Sequence, residues 1–258
     1  HIDFHAHVLP GADHGSADLK TSLEQLRLAQ EAGIDTLIAT PHFYPAHDRI
    51  DEFLTRRLDC FAELRANLPE QMPQLLLGAE VQLCIGLENL PELEELCVHG
   101  TRVLLLELPP VFQPNADALV YQRKLKVVLA HIDRYDHTVI DPLLESGLKA
   151  QLNASSFCRL RTRRRSLRYA ALDCVVALGS DIHGTQTGYR EFLEAKKRLG
   201  AEYTPLMQRT QSLLGLEAAA GQAYEARYIS NKWKRPAVWQ GASSILGTSE
   251  SIGCGVQW

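Results

Sequence analysis

The chain has 258 residues, of which 45% are hydrophobic and 22% charged, a composition typical of a globular protein with a sizeable core. Its 27 Lys and Arg residues against 31 Asp and Glu give a formal net charge of −4, which disfavours general binding to nucleic acid or anionic membranes. No apolar run reaches the roughly 18–20 residues of a membrane span, and no signal-type segment is recognised, so we expect a cytoplasmic protein. The six cysteines are scattered without a CxxC pair and are expected to be reduced thiols.

Strand-like and helix-like patterns alternate along the chain. Residues 2–8 alternate apolar and polar side chains, which predicts a strand whose His5 and His7 share one face. A helical repeat follows over residues 18–32, with Gly33 placed to end it. Further strands are predicted at residues 34–40, 75–77, 103–108, 127–130, 148–153 and 175–178. Further helices are predicted at residues 48–67, 206–214 and 216–224.

This order of elements predicts an α/β fold with a mostly parallel sheet, either open or closed into a barrel. The prolines between Glu107 and His131 predict an abbreviated helix in that connection. Residues 229–258 have no clear period, so we expect residues 1–228 to form the domain and residues 229–258 an irregular C-terminal extension.

Potential metal ligands stand at the C-terminal ends of nearly every predicted strand. They are His5, His7, His42, Glu80, Glu107, His131, Asp181 and His183. The carboxyl ends of parallel strands meet at one edge, where the loops converge, so we expect these side chains to share a pocket. Imidazoles and carboxylates without thiolates suit Mn²⁺, Fe²⁺ or Zn²⁺, and carboxylates can bridge two ions in a hydrolytic centre.

Each of these residues also has a structural interpretation. A single His at a strand end is more often a hydrogen-bonded structural residue, and a single Glu there often caps the next helix. The pairs His5 with His7 and Asp181 with His183 are more specific, because alternate strand positions place both side chains on one face. Eight polar groups facing one another without an ion would be costly to desolvate, so together they favour a metal centre.

Eight segments follow one another in the order of a known superfamily: HIDFHAH, LPGADHG, IATPH, GAEV, LLLEL, LAHIDRY, QLNASS and GSDIHG. Over about residues 2–214 the sequence resembles the polymerase-and-histidinol-phosphatase (PHP) superfamily, and within it the bacterial capsule-type, manganese-dependent protein-tyrosine phosphatases. The resemblance implies a distorted (β/α)7 barrel, similar to a TIM barrel, with the metal site at the C-terminal ends of the strands. It also implies up to three divalent ions, Mn²⁺ or alternatively Fe or Zn, and a phosphotyrosine protein as partner, such as a bacterial tyrosine kinase linked to polysaccharide synthesis or export.

The resemblance assigns all eight residues as metal ligands and assigns Arg134 to the phosphate. Two positions depart from the family pattern. Where the family turn reads DDG, this chain has His14 after Asp13, and His14 is assigned as a further metal ligand that could change the preferred metal. Where the family often has Arg, five residues after the last His, this chain has Gly188, and Arg190 is the candidate to replace it in a catalytic role.

The mechanism implied by the resemblance is direct attack of metal-activated water on the phosphorus atom. A cysteine-dependent phosphatase would need CxxxxxR spacing, which is absent around Cys158. Three alternatives stay open: hydrolysis of a small phosphomonoester such as histidinol phosphate, a phosphodiesterase acting on nucleotides, and a non-catalytic module that retains its metals structurally.

A dense basic segment lies outside these motifs. Six arginines fall between residues 159 and 168. They form either a solvated helix face or a docking surface for an acidic or phosphorylated partner, and the sequence favours the two interpretations about equally.

Overall fold

A computed structural model of the chain describes residues 1–109 and 123–216. The strands are β1 (Ile2–His7), β2 (Thr36–Ala39), β3 (His42–Phe43), β4 (Gln74–Leu77), β5 (Glu80–Gln82), β6 (Val103–Glu107), β7 (Lys126–Leu129), β8 (Lys149–Asn153), β9 (Val175–Gly179) and β10 (Ile182–His183). The α-helices are α1 (Leu19–Glu31), α2 (Ile50–Ala66), α3 (His137–Glu145), α4 (Ser155–Cys158), α5 (Leu160–Ala170), α6 (Gly188–Leu199) and α7 (Tyr203–Leu214). Short 3₁₀ turns lie at Leu87–Asn89, Leu93–Leu96, Ile132–Arg134 and Gly200–Glu202.

Several sequence predictions fall outside the described residues. They are the helix at 216–224, the domain boundary at 228 and the extension at 229–258. Most of the connection predicted to contain an abbreviated helix, at 110–122, also lies outside the described residues. Within the described ranges, the seven predicted strands and the helices predicted at 18–32, 48–67 and 206–214 are confirmed to within a few residues.

The described strands form two parallel sheets. One sheet has the order β10-β1-β2-β4 and the other has the order β3-β5-β6-β7-β8-β9. Three stretches of chain contribute a strand to each sheet: β2 with β3, β4 with β5, and β9 with β10. Each is interrupted by two residues, at 40–41, 78–79 and 180–181. The predicted α/β fold with a parallel sheet is therefore confirmed.

The strands are buried almost throughout, as expected of parallel sheets covered on both faces. All residues of β1, β2 and β9 are buried. Large side chains fill the interior, and Phe4, Phe157 and Phe192 are at most 1% exposed. Helix α1 is defined at both ends. At its start, the Asp18 side chain accepts a hydrogen bond of 2.7 Å from the backbone N–H of Thr21. After its end, Gly33 has φ +73° and leads into β2.

The interruptions in the strands place the predicted ligands at the carboxyl edge. His42 begins β3 and Glu80 begins β5, each immediately after a break, and Asp181 lies in the break between β9 and β10. The sequence pattern does not predict β3, β5 and β10 as separate strands, because two or three residues are too few to show a period.

Within the described ranges, no helix combines the length and the apolar character needed to cross a bilayer. The five cysteines there are free thiols, in agreement with the prediction for those positions.

Gly179 at the end of β9 allows that strand to approach β1 closely. A Cβ atom at this position would lie 2.5 Å from the His5 Cβ and 2.7 Å from the Gln151 Nε2. We expect Gly179→Ala to lower the free energy of unfolding by about 1–3 kcal/mol through overpacking, measured by urea denaturation of the metal-free protein. Gly78→Ala is the matched control, because its Cβ would meet the Ile38 side chain at an ordinary 3.4 Å. Equal effects of the two substitutions would contradict this interpretation.

Candidate metal centre

Four ligand atoms from three strand regions converge at the end of β1. The Nε2 atoms of His5 and His7 lie 3.0 Å apart, and both face Glu80 Oε2, at 3.1 and 3.3 Å respectively. Asp181 Oδ1 lies 3.6 Å from His5 Nε2 and 3.5 Å from His7 Nε2. Imidazole nitrogens and carboxylate oxygens directed at one point are the ligand set expected for a divalent transition metal.

Glu80 connects this group to a second one. Its Oε2 lies 3.1 Å from His42 Nδ1, and its Oε1 lies 2.7 Å from His131 Nε2. Glu107 Oε1 lies 3.6 Å from the same His131 nitrogen. Ligand atoms of His42, Glu80 and Glu107 all fall within 4.8 Å of one another, as do those of His5, His7 and Glu80. One buried carboxylate is therefore shared by two candidate ion sites.

A third group is built from histidines. Ligand atoms of His7, His42 and His183 also lie within 4.8 Å of one another. The exposed His14 ring stacks on His42 at 4.6 Å and on His183 at 4.8 Å between centroids. The structure thus brings His14 to the rim of the cluster, although the groups of mutually close ligand atoms do not include it.

Asp13 supports the cluster from behind. Its Oδ2 accepts a hydrogen bond of 2.7 Å from His7 Nδ1, which leaves His7 Nε2 as the nitrogen facing the cluster. The backbone N–H groups of Gly15 and His42 also donate to this carboxylate. Burial alone would raise the pKa of Asp13, but these hydrogen bonds hold it well below its ordinary value. A Cβ at Gly15 would lie 2.2 Å from His7 Cβ, so the turn needs glycine here.

Gln151 contacts the His5 ring, and Asp3 holds the strand that carries His5. Gln151 Oε1 lies 3.3 Å from His5 Nδ1, and it accepts a hydrogen bond of 2.7 Å from the backbone N–H of His131. Asp3 accepts from the Ser180 N–H at 2.8 Å and from the Tyr189 hydroxyl at 2.9 Å, which fixes β1 against the break before β10. The sequence does not identify Asp3, Asp13 and Gln151 as supporting residues, since nothing in their spacing shows what they contact.

The electrostatics of the cluster are dominated by burial and by its own opposite charges. Burial would lower the pKa of His5 and of His7, but the neighbouring carboxylates raise both. Burial would raise the pKa of Glu80, yet the surrounding imidazoles hold it well below the ordinary value. His42 differs, because burial lowers its pKa to about 3. The pKa of Glu107 is raised by burial and by nearby Glu80.

The two predicted arginines occupy different surroundings. Arg134, on the 3₁₀ turn after β7, is half-exposed and its guanidinium is ion-paired with Asp181 Oδ2. Asn153 Nδ2 donates to the same oxygen at 2.8 Å. Arg190 is exposed in the first turn of α6, without an ion pair to the cluster among the described residues, and its catalytic role stays a prediction. A Cβ at Gly188 would lie 2.5 Å from the Ile182 side chain, so no larger residue fits there unless Ile182 moves.

Two residues of the centre have left-handed backbone conformations. His131 has φ 32° and Asp181 has φ 52°, values uncommon for residues other than glycine. Such conformations cost free energy and persist only where the surroundings enforce them. Here they turn the two side chains back toward the carboxyl edge.

Two tyrosines flank the cluster and were not identified from the sequence. The Tyr44 ring stacks on His42 at 5.2 Å, and the Tyr135 ring stacks on His131 at 5.9 Å between centroids. Burial, together with the charge of Glu107, raises the pKa of Tyr44 to about 12, so the hydroxyl stays neutral. The centre therefore has aromatic surfaces on two sides.

Cys158 lies in α4 and its Sγ is within 3.9 Å of the Ala154 carbonyl oxygen. Burial raises the pKa of this thiol, which is the opposite of what a nucleophilic cysteine needs.

Asp13→Asn should weaken binding of a divalent metal about 10–100-fold, because the charged partner that orients His7 is lost. Metal competition against a fluorescent chelator would measure the change. Asp173→Asn removes an equal charge from an exposed residue before β9, at the opposite edge, and serves as control. Unchanged affinity in the Asp13 variant would show that this carboxylate does not support the ligand.

Metal binding should release protons, and affinity should rise with pH between roughly 6 and 8. The raised pKa values of His5 and His7 mean that the metal-free protein holds protons that an ion must displace, whereas His42 is already neutral. Titration calorimetry at pH 7 in two buffers of different ionisation enthalpy would count the protons. A buffer-independent enthalpy together with a flat pH profile would be inconsistent with this assignment.

Comparison with known proteins places this geometry in a family. The chain is 28% identical over 232 residues to the tyrosine-protein phosphatase YwqE of Bacillus subtilis, covering 83% of this chain and 91% of that protein. It is 24% identical over 257 residues to CapC of Staphylococcus aureus, covering 90% and 98%. The chain has the same fold as a crystal structure from a study of YwqE and of CpsB from Streptococcus pneumoniae, which that study describes as unique metal-dependent tyrosine phosphatases. The TM-score is 0.68 and the sequence identity 22%, and the match covers 84% of this chain and 95% of that one. A family model described as capsular polysaccharide synthesis, CpsB/CapC, matches residues 1–210, and the chain therefore belongs to the CpsB/CapC family.

Proposed function

We propose that this protein is a metal-dependent protein-tyrosine phosphatase that acts on a phosphotyrosine protein of polysaccharide synthesis or export, such as a bacterial tyrosine kinase. The observation that carries the proposal is the convergence of two carboxylates, Glu80 and Asp181, on the Nε2 atoms of His5 and His7, with Arg134 paired to Asp181. The name of the Bacillus subtilis relative supports the same activity.

The residues present fit divalent ions. His42 Nδ1 is buried, lies 3.1 Å from Glu80 Oε2 and makes no hydrogen bond among the described residues, so two acceptor atoms face each other as ligands of one ion would. We infer that the centre holds up to three ions, with Mn²⁺ as first choice and Fe or Zn as alternatives. The proposed ligands are His5, His7, His14, His42, Glu80, Glu107, His131, Asp181 and His183.

A divalent cation in such a centre would supply a water nucleophile at neutral pH and neutralise negative charge on the phosphate. The chain's own groups then position the substrate. Arg134 is half-exposed at the rim and can turn from Asp181 to bind two phosphate oxygens in a bidentate contact. Asn153 keeps its hydrogen bond to Asp181, so that carboxylate stays in place when Arg134 engages the phosphate.

The aromatic walls favour an aryl phosphate. Tyr44 and Tyr135 stack on ligand histidines at either side of the centre, where they can contact the ring of a phosphotyrosine. Histidinol phosphate is an alkyl phosphate ester, so no ring is attached directly to its phosphate oxygen.

We further propose that the strands close into the distorted (β/α)7 barrel that the sequence predicts. Taking β2 with β3, β4 with β5 and β9 with β10 as single strands gives seven strands in all. Each of these three composite strands pairs with neighbours in both sheets, which supports closure. The proposed catalytic domain comprises residues 1–228.

Chelator-treated protein should lose phosphatase activity toward a phosphotyrosine peptide and regain it on addition of Mn²⁺, while histidinol phosphate, assayed in parallel, stays a poor substrate.

Glu80→Gln should lower kcat/KM at least about 100-fold, because the shared ligand loses its charge. Glu145→Gln, an exposed residue at the end of α3, is the matched control. Restored turnover of histidinol phosphate but not of the peptide would replace the proposal with a small-molecule phosphatase. Activity that survives both chelation and Glu80→Gln would exclude a metal mechanism.

A further inference from the structure

Helix α5 carries a concentration of positive charge that the metal centre does not use. Residues 159–168 contain six arginines and no acidic residue, in a chain whose formal net charge is −4. Arg161, Arg164, Arg165 and Arg168 recur at three- and four-residue spacing and therefore share one helix face. Like charges at this spacing destabilise a helix, so folding alone gives no reason for the arrangement.

Most of this charge is not neutralised within the protein. Among the described residues, none of the six arginines has a carboxylate oxygen within 4.0 Å, whereas Arg134 and Arg198 each form an ion pair. Arg161, Arg164 and Arg168 are exposed. The guanidinium of Arg168 lies 5.8 Å from the centroid of the Tyr169 ring, a contact that leaves its charge unpaired.

The fourth arginine ties this face to the rim of the metal centre. Arg165 Nη2 donates to the Asp133 carbonyl oxygen at 2.6 Å, in the 3₁₀ turn that carries Arg134. Asp133 Oδ1 in turn accepts from the Asn153 N–H at 2.8 Å, and Asn153 donates to Asp181. Three hydrogen bonds thus connect Arg165 to Asp181, and the exposed arginines lie on the same helix as Arg165.

The acidic groups nearest α5 are fewer than the six arginines. Asp141 is one of them, and its Oδ1 accepts a hydrogen bond of 2.5 Å from the Tyr169 hydroxyl. Asp136 is exposed on the adjoining turn, where its pKa is lowered mainly by hydrogen bonds from Thr138 and to a smaller degree by Arg165. Asp133 is buried, and its side chain already accepts from Asn153. The helix therefore presents net positive charge to solvent on the side of the pocket where Arg134 lies.

We propose that the arginine face of α5, formed by Arg161, Arg164 and Arg168, docks an acidic stretch of the substrate polypeptide next to its phosphotyrosine. This inference rests on the proposed function, since a phosphotyrosine held at Arg134 would bring its neighbouring residues over α5. Carboxylates suit the face because guanidinium groups bind them in bidentate pairs. The surface selects substrates by the charge that surrounds the phosphorylated residue.

The test compares two phosphotyrosine peptides of equal length, one flanked by Asp and Glu and one by Ser and Gln, with the Mn²⁺-loaded full chain. Phosphotyrosine amide, which has no flanking residues, is the reference substrate for each variant. The wild-type protein should prefer the acidic peptide about 10-fold in kcat/KM, mainly through KM. The preference should shrink in 0.5 M salt, since exposed charges are screened.

Arg161→Gln/Arg164→Gln should reduce this preference to about twofold or less, and Arg161→Lys/Arg164→Lys, which keeps the charge, should retain most of it. Arg65→Gln/Lys126→Gln removes equal charge from exposed residues at the far ends of α2 and β7 and should leave the preference intact. Thermal unfolding of all variants checks that they fold.

Three outcomes would overturn the inference: no preference in the wild-type protein, an equal loss in the Arg65/Lys126 variant, or a preference that survives Arg161→Gln/Arg164→Gln. Binding of the wild-type protein and of Arg161→Gln/Arg164→Gln to phosphatidylglycerol vesicles is measured separately. If vesicle binding depends on Arg161 and Arg164 and no peptide preference is seen, α5 is a membrane-contacting surface instead. If neither peptide nor phosphotyrosine amide is hydrolysed with Mn²⁺ present, the proposed function itself fails. Turnover without preference removes only the docking surface.

Discussion

The burial of Glu80 is the constraint on which the centre depends. Its carboxylate is 1% exposed and faces four imidazoles from three different strand regions. A buried anion without compensation is costly, so these neighbours must supply positive charge. In the metal-free protein the raised pKa values of His5 and His7 provide it as protons. In the proposed enzyme, cations take the place of those protons, and the fold serves to keep the ligand atoms within reach of them.

The architecture meets this constraint by breaking its strands at or beside the candidate ligands. Glu80 and Asp181 follow or occupy interruptions in the sheets, and Asp181 and His131 adopt left-handed backbone conformations that direct their side chains inward. Local strain of this kind is tolerated because surrounding contacts enforce it. The buried Asp3 carboxylate, which accepts hydrogen bonds from Ser180 and Tyr189, is one such contact.

Charge is divided between two neighbouring regions. Glu80 and the imidazoles around it are buried in the centre, while Arg161, Arg164 and Arg168 of α5 are exposed and have no carboxylate partner among the described residues. Arg134 forms an ion pair with Asp181. A phosphorylated ligand would meet positive charge on approach and on binding. In the sequence alone, the basic segment is consistent with either a solvated face or a docking surface. The contact between Arg165 and the Asp133 carbonyl shows where the segment lies relative to the centre, which the sequence could not.

By itself the sequence determined the alternation of strands and helices, the candidate ligand residues at the carboxyl edge, and the family, because strand and helix periods and closely spaced motifs are local properties of the chain. Only the tertiary structure decided that Asp13 and Gln151 hold His7 and His5, that Tyr44 and Tyr135 flank the centre, and that β3, β5 and β10 form at all. The role of Arg190 and the closed barrel stay predictions. Gln151 and His5 are 146 residues apart, so no local pattern in the sequence indicates their contact. The two-residue strands β3 and β10 form only by pairing with neighbouring strands, so no local pattern indicates them.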